Sequence, residues 1–455
     1  MSEILSMKSL RAAVANCSID TVIAAFPDMQ GRLMGKRFHA KFFVDNAWEE
    51  THCCNYLIAT DLEMETVDGY ESTSWSAGYG DYVMRPDLDT LCVLPWLEGT
   101  ALVLCDLLDH HTHELVPHAP RTVLKQQLKR AADLGLAMMA ATELEFFVFR
   151  ETFETIRDAE YHAMTPISPY NEDYHIFQTT KEESLMRQIR NGLHGAGIIV
   201  ENTKGEADAG QAEINVHYAD ALRMGDVHVM VKNAVKEIAF LNDRAITFLA
   251  KWHHDYAGSS SHIHQSLRSV DGEAIFFDPA QPHGMSKIMQ SYLAGLLTYA
   301  DDTTYFLAPY VNSYKRFKVG TFAPTKAIWS IDNRTAGYRV VAENSQNIRV
   351  ECRVGGSDLN PYLALASQLS AGLKGIEDNL TLEAEFTGDA YQADAARSIP
   401  SSLRDAAVAL DQSEMLRTAM SDAVVDHYVR AARWEQEDFD SKVTDYEVRR
   451  GFERA

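Results

Sequence analysis

Thr142-Glu143-Leu144-Glu145-Phe146-Phe147-Val148-Phe149 sets the architecture of this chain. Its aromatic and β-branched residues predict a strand, extended upstream to cover Met138–Phe149. Alternate side chains of a strand share a face, so Glu143 and Glu145 project together, roughly 7 Å apart. Phe147 and Phe149 continue that face, while Leu144, Phe146 and Val148 form the other. Two carboxylates on so apolar a strand are costly to bury without cations. The alternative is an edge strand whose glutamates are solvated.

Around this strand the periodicity predicts a helix over Arg121–Leu134 that stops at Gly135, a helix near Lys181–Gly195 and a strand at Ala212–His217. A long helix over Met224–Ala250 and others at Ser286–Ala300 and Pro361–Ile376 follow. The order lacks a regular βαβ beat, which favours α+β over a doubly wound sheet. Upstream, Thr21–Phe26 and Arg32–Phe38 flank Pro27-Asp28-Met29-Gln30-Gly31 and read as a β-hairpin. Residues 40–100 read as irregular, with Gly69, Gly78 and Gly80 marking a long loop, and Ala101–Asp106 as a further strand. Two domains are expected, residues 1–112 and 113–455, with the charged C-terminal stretch as a peripheral helical arm.

Composition excludes several function classes. The 455 residues carry 42 Lys+Arg against 65 Asp+Glu, a net charge of −23, whose field repels nucleic acid and anionic membranes. No apolar run reaches the ~18 residues of a membrane span. The N-terminus reads as an amphipathic helix, not a signal peptide. The 6 cysteines include no CxxC pair and suit a reduced thiol pool, so a soluble cytoplasmic protein is expected.

Three further segments carry chemistry. Lys204-Gly205-Glu206 leads through a loop into a strand with Glu213, Asn215 and His217 on one face; read alone, it is equally a surface loop with ordinary acids. Gly258-Ser259-Ser260-Ser261-His262-Ile263-His264-Gln265-Ser266 places two imidazoles on one strand face, suited to a metal or phosphate, though paired structural histidines are common. His110, His111 and His113 read as solvated, and His253-His254 stay ambiguous. Finally, Tyr310 to Arg353 holds 8 basic residues and 3 acids, a +5 island in a −23 chain. Its arginines, in Asn312-Ser313-Tyr314-Lys315-Arg316 and Asp332-Asn333-Arg334-Thr335, suit bidentate contact with phosphate or carboxylate; a solvated basic face is the plainer reading. Glu351-Cys352-Arg353 puts a carboxylate and a guanidinium on one face. Carboxylates and histidine for hard cations beside an arginine cluster describe phosphoryl transfer from a nucleotide, without a P-loop.

From the Pro27–Gly31 hairpin to Asn360-Pro361-Tyr362-Leu363, these motifs resemble the glutamine synthetase family, type I-like branch. The resemblance implies an N-terminal β-grasp domain and a larger catalytic α+β domain whose antiparallel strands line a funnel. It implies two stacked hexameric rings with active sites shared between neighbours, and two or three Mg²⁺ or Mn²⁺ ions per site. ATP phosphorylates the γ-carboxylate of glutamate, and an amine displaces the phosphate. Position by position, Glu145, Glu206 and Glu213 correspond to ligands of the metal facing glutamate, and Glu143, His262 and Glu351 to those of the metal on ATP. Gly258 and Arg316 correspond to glutamate-binding residues, Arg334 and Arg339 to phosphate-binding arginines, His264 and Ser266 to the ATP side, and Arg353 to the arginine beside the γ-carboxyl. Asp68 and Asp81 correspond to acids serving the neighbouring subunit's ammonium site.

The departures concern that ammonium site. The family's flap glutamate falls at Phe322, its Lys-Pro is Lys251-Trp252, its asparagine before Gly258 is Ala257, and no adenylylation segment is recognisable around Tyr391. With Tyr174 and Trp252, Phe322 would give the amine site an apolar wall. The resemblance therefore points to a glutamate–amine ligase making a γ-glutamylamide, similar to the γ-glutamylpolyamine and γ-glutamyl-monoamine synthetases of amine catabolism. A glutamine synthetase using ammonium and a non-catalytic relative are the alternatives; the retained metal ligands argue against the latter.

Overall fold

The structure is a computed structural model that describes residues 5–162 and 164–455. The first four residues of the expected N-terminal helix lie outside them; the helix itself is Met7–Ala15, capped by the Ser6 side chain. The first sheet comprises β1 (Thr21–Pro27), β2 (Leu33–His39), β3 (Thr51–Cys54), β4 (Asp81–Pro86), β5 (Cys92–Val93) and β6 (Thr100–Asp109). Its order is β2-β1-β6-β4-β3, with β5 also on β6. β1 and β2 form the expected antiparallel hairpin, Thr21 opposite His39 and Pro27 opposite Leu33. The Asp28 carboxylate closes its turn by accepting from the Arg32 amide (2.8 Å) and the Gln30 amide (3.0 Å), with Gly31 at φ +74°. Residues 40–100 are less irregular than expected: β3 and β4 fall there and pair antiparallel.

The second sheet comprises β7 (Leu136–Phe149), β8 (Val200–Gly205), β9 (Gln211–Val216), β10 (Ala219–Asp220), β11 (Ala245–Thr247), β12 (Ile263–Ser269), β13 (Trp329–Ile331), β14 (Tyr338–Val341) and β15 (Arg349–Cys352). The order is β13-β14-β15-β12-β7-β9-β8, with β10 and β11 also on β7. All neighbours are antiparallel except β13 and β14, which run parallel. β7 changes partner along its length: Leu136–Thr142 pair with β12, and Glu143–Phe147 with β9. Glu143 and Glu145 therefore sit where the sheet divides.

Helices Pro120–Asp133, Ala221–Leu241, Lys287–Thr298 and Pro361–Glu377 back this sheet. Gly295 and Gly375 let the last two meet backbone to backbone, since a Cβ on Gly295 would stand 2.9 Å from the Gly375 Cα. Arg121 is pinned among Asp87 (2.7 Å), Asp106 (2.7 Å) and Asp226 (3.0 Å), joining the two sheets' supporting elements.

Two expectations are corrected. The helix expected over Met224–Ala250 ends at Leu241, where Asp243 takes φ +54°, and the apolar residues beyond it form β11 against β7. The C-terminal stretch is not a peripheral arm. Helices Leu403–Asp411, Glu414–Met420 and Asp422–Ser441 bury Leu403, Leu410, Leu416, Val425 and Tyr428. They hold the first sheet's loops: His427 Nε2 lies 2.8 Å from the Ile58 carbonyl, Tyr428 donates to the His118 carbonyl, and Arg430 donates to that of Asp68.

His118 and His427 pack with ring centroids 4.2 Å apart and planes tilted by 33°. Burial pushes the His118 imidazole down to about 4 and His427 well below its ordinary value. Both bind fewer protons folded than unfolded below pH ~6.5, so their contribution is level above that pH and stability falls as pH drops toward 4. Urea midpoints between pH 7.5 and 5 should fall more steeply for wild type than for His427→Gln, by up to about 1.4 kcal/mol per pH unit for one histidine.

Candidate active site

Glu145 on β7 stands directly opposite Glu213 on β9, and Glu206 opens the turn between β8 and β9. One carboxylate oxygen from each lies within 4.8 Å of the others. Glu145 accepts from the Ser260 amide (2.7 Å) and from Gln211 Nε2 (3.2 Å), and Gln211 also donates to the Gly258 carbonyl. Burial, then Glu206 and Glu213, push Glu145 well above the usual carboxylate range; burial, then Glu143 and Glu206, push Glu213 up to about 8. Buried carboxylates that repel one another fit a hard divalent cation. The Lys204 ammonium contacts the Glu206 carboxylate and lies 3.6 Å from Glu213.

A second group forms across β7, β12 and β15, where ligand atoms of Glu143, His264 and Glu351 lie within 4.8 Å of one another. His264 Nε2 is 2.9 Å from Glu143. His262, which the resemblance sets among these ligands, bridges the two carboxylates through Nδ1, 2.9 Å from Glu143 and 3.5 Å from Glu351. It precedes β12 instead of lying on it, and its buried Nε2 has no hydrogen-bond partner among the described residues. Burial would raise Glu143, but His262 and His264 hold it well below its ordinary value. Burial would raise Glu351 too, yet Arg353 and His262 hold it down at about 2. Two carboxylates kept ionised with imidazole between them also suit a divalent ion.

Arginines close the wall. Arg353 meets Glu351 at 2.5 Å, Arg339 meets Glu351 at 2.9 Å and also Asp332, and Arg334 is exposed on the rim. Two clefts flank the acidic groups. One, of about 390 Å³, is lined by Glu145, Glu206, Glu213, Gly258, Tyr174, Phe322, Arg334, Arg339 and Arg353; the other, of about 350 Å³, by His264, Ser266, Tyr218, Phe276 and Arg349. Glu143 lines both.

Other residues named from the sequence lie elsewhere. Arg316 is buried and turns away from the cleft, donating to the carbonyls of Val354 and Gly355 and to Ser260 Oγ; a Cβ on Gly258 would collide with it. Trp252 packs with Phe147, Phe149 and Tyr256 in a small core outside the cleft, because Phe147 and Phe149 continue β7 past the glutamates. Asp81 starts β4 beside Lys36 and His52, and Asp68 sits on an exposed loop, so neither reaches this chain's own cleft. Tyr174 and Phe322 do reach it, 67% and 57% exposed, each with left-handed backbone at φ +56° and +57°. Lys204, Gln211 and Arg349, which donates to His264 Nδ1, were not singled out from the sequence. Their signal is strand parity: Gln211 shares a face with Glu213, and Lys204 is its register partner across β8 and β9.

Comparison with known proteins agrees with this geometry. The profile of the glutamine synthetase catalytic domain matches residues 117–451. The γ-glutamylethanolamide synthetase GlnA4 of Streptomyces coelicolor is 47% identical over 451 residues, covering 99% of this chain and 96% of that one. The glutamate–isopropylamine ligase of a Pseudomonas species is 34% identical over 444 residues, covering 97% and 96%. The solved GmaS–ADP complex superposes with a TM-score of 0.85 at 25% identity, covering 99% of this chain and 100% of that chain. A match that spans every strand bearing the two acidic groups places this chain in the glutamine synthetase family.

Proposed function

We propose that this protein joins the γ-carboxyl of glutamate to a small organic monoamine, with ATP giving ADP and phosphate. The observation that carries this is the make-up of one cleft: both acidic groups and the arginines are in place, while Tyr174, Phe322 and Lys204 line it beside the carboxylate trio. The relatives named for an ethanolamide product and for isopropylamine as the amine joined support it.

In this reading Glu145, Glu206 and Glu213 hold one Mg²⁺ or Mn²⁺, and Glu143 and Glu351 hold another with His262 or His264. The ions supply charge for the nucleotide and acyl phosphate oxygens. Nucleotide occupies the cleft of Ser266 and Arg349, and glutamate that of Gly258. Arg334, Arg339 and Arg353 stabilise the phosphoryl group as it passes from ATP to the γ-carboxylate. The neutral amine nitrogen then attacks the acyl carbon, the bond from that carbon to the phosphate oxygen breaks, and the departing phosphate takes the surplus proton from nitrogen; this demands a site that excludes water. Arg316 acts through Gly258 and Ser260, orienting the loop that meets glutamate. We further propose a β-grasp fold for the first sheet, a domain boundary near residue 112, and stacked hexameric rings in which Asp81 and Asp68 serve the neighbouring subunit's cleft.

An apolar wall favours carbon over charge, at ~0.8 kcal/mol per buried methylene. Ethanolamine, ethylamine or isopropylamine should therefore show a kcat/KM about tenfold or more above ammonium. Phosphate release with ammonium, ethanolamine, ethylamine, isopropylamine, putrescine and aniline measures this, with the amide identified by mass. Ammonium as the best substrate would make the protein a glutamine synthetase with an unusual flap.

A further inference from the structure

Lys204 is a departure from what three converging carboxylates require. Its side chain, 19% exposed, bridges Glu206 and Glu213 from β8, and its ammonium sits 4.7 Å from the Tyr174 ring centroid. Three ionised carboxylates holding one divalent ion keep one negative charge, which is available to attract a cationic amine. Lys204 cancels it. The other acids on this cleft have partners of their own: Glu143 lies 2.9 Å from both His262 and His264, and Glu351 is paired with Arg339 and Arg353. Asp173 remains on the rim, exposed to solvent.

We propose that Lys204 is a specificity-determining residue that neutralises the carboxylate trio, so that the cleft rejects diamines, whose second ammonium it repels, and takes monoamines with an uncharged tail. The inference rests on the amine-ligase reading above. A second ammonium on the substrate meets Lys204 beside Tyr174 and Phe322, with Asp173 exposed to solvent on the rim.

The test compares wild type, Lys204→Met and Lys204→Arg in the full-length protein. The readouts are kcat/KM for putrescine, ammonium and ethylamine, and Mn²⁺ binding followed by the electron paramagnetic resonance of the free ion. In Lys204→Met the putrescine-to-ethylamine ratio should rise about tenfold or more, the effect of one charge a few ångströms away in a partly screened cleft, while the ammonium-to-ethylamine ratio should hold because both ions carry one charge. Lys204→Arg should keep the wild-type ratios, and all three proteins should bind the same number of Mn²⁺ ions per chain. An unchanged putrescine-to-ethylamine ratio in Lys204→Met overturns the proposal, as does loss of an Mn²⁺ site in that variant or an Arg variant that behaves like Met. Failure of the underlying reading is separate: wild type would then form glutamine faster than any γ-glutamylamide, whatever Lys204 does.

Discussion

Glu213→Gln should lower glutamate-dependent phosphate release roughly a thousandfold while leaving the protein folded. One of three crowded carboxylates is replaced by a neutral isostere, so Mn²⁺ binding at that group should weaken with activity. Metal-free stability should move the other way. Folded Glu213 titrates at about 8 because burial, Glu143 and Glu206 oppose its charge, against an ordinary unfolded carboxyl. Its protonated form is the one the fold accepts, so metal-free wild type loses stability as pH rises from the usual glutamate range to about 8. Glutamine never ionises and escapes this loss. At pH 8 without metal the variant should therefore melt higher than wild type, by an amount on the order of a few kcal/mol. Added Mn²⁺ should reverse the order. Loss of activity with a lower melting point in metal-free buffer would instead mean that Glu213 is needed for folding.

Arg121→Met should have the largest effect on stability. The guanidinium is 3% exposed and meets three aspartates, while the Tyr362 hydroxyl donates to the same Asp226. Removing it leaves Asp106 and Asp226 buried without their partner, a change that costs about 3–5 kcal/mol. Lys125 still meets Asp106 at 2.6 Å and softens only that part. The expected result is a drop in the denaturant midpoint and in soluble yield. A variant also carrying Asp226→Asn should recover part of the loss, because one stranded charge is gone.

How much was legible in the sequence follows from which contacts are local. β7 announced itself through alternation, and Glu143 and Glu145 were placed on one face before any partner strand was known. The hairpin around Asp28 and Gly31 was equally readable, since its turn is closed by its own side chains. The end of the helix at Leu241 was hidden because Ala245–Ala250 continue an apolar pattern whose partner, β7, lies about a hundred residues earlier. The C-terminal helices read as a peripheral arm for the same reason: the groups that meet His427 and Tyr428, Ile58, His118 and Phe306, lie more than a hundred residues earlier. At the site, residue types marked the carboxylates and arginines, but register alone shows that Lys204 faces Glu213. The inward turn of Arg316 has no sequence signal, because its acceptors are backbone carbonyls.

The hold of His427 and Tyr428 on the loops of the first sheet has a consequence for biosynthesis. His427 meets Met29 and Ile58, which precede it by 398 and 369 residues. At ordinary elongation rates of about 5–20 residues per second, roughly 20–80 s separate the emergence of Met29 from that of the histidine that covers it. For that interval the nascent first sheet presents an unfinished apolar surface. Chains stalled or truncated before Asp422 should bind chaperones and aggregate, even though every residue of both clefts has already been made.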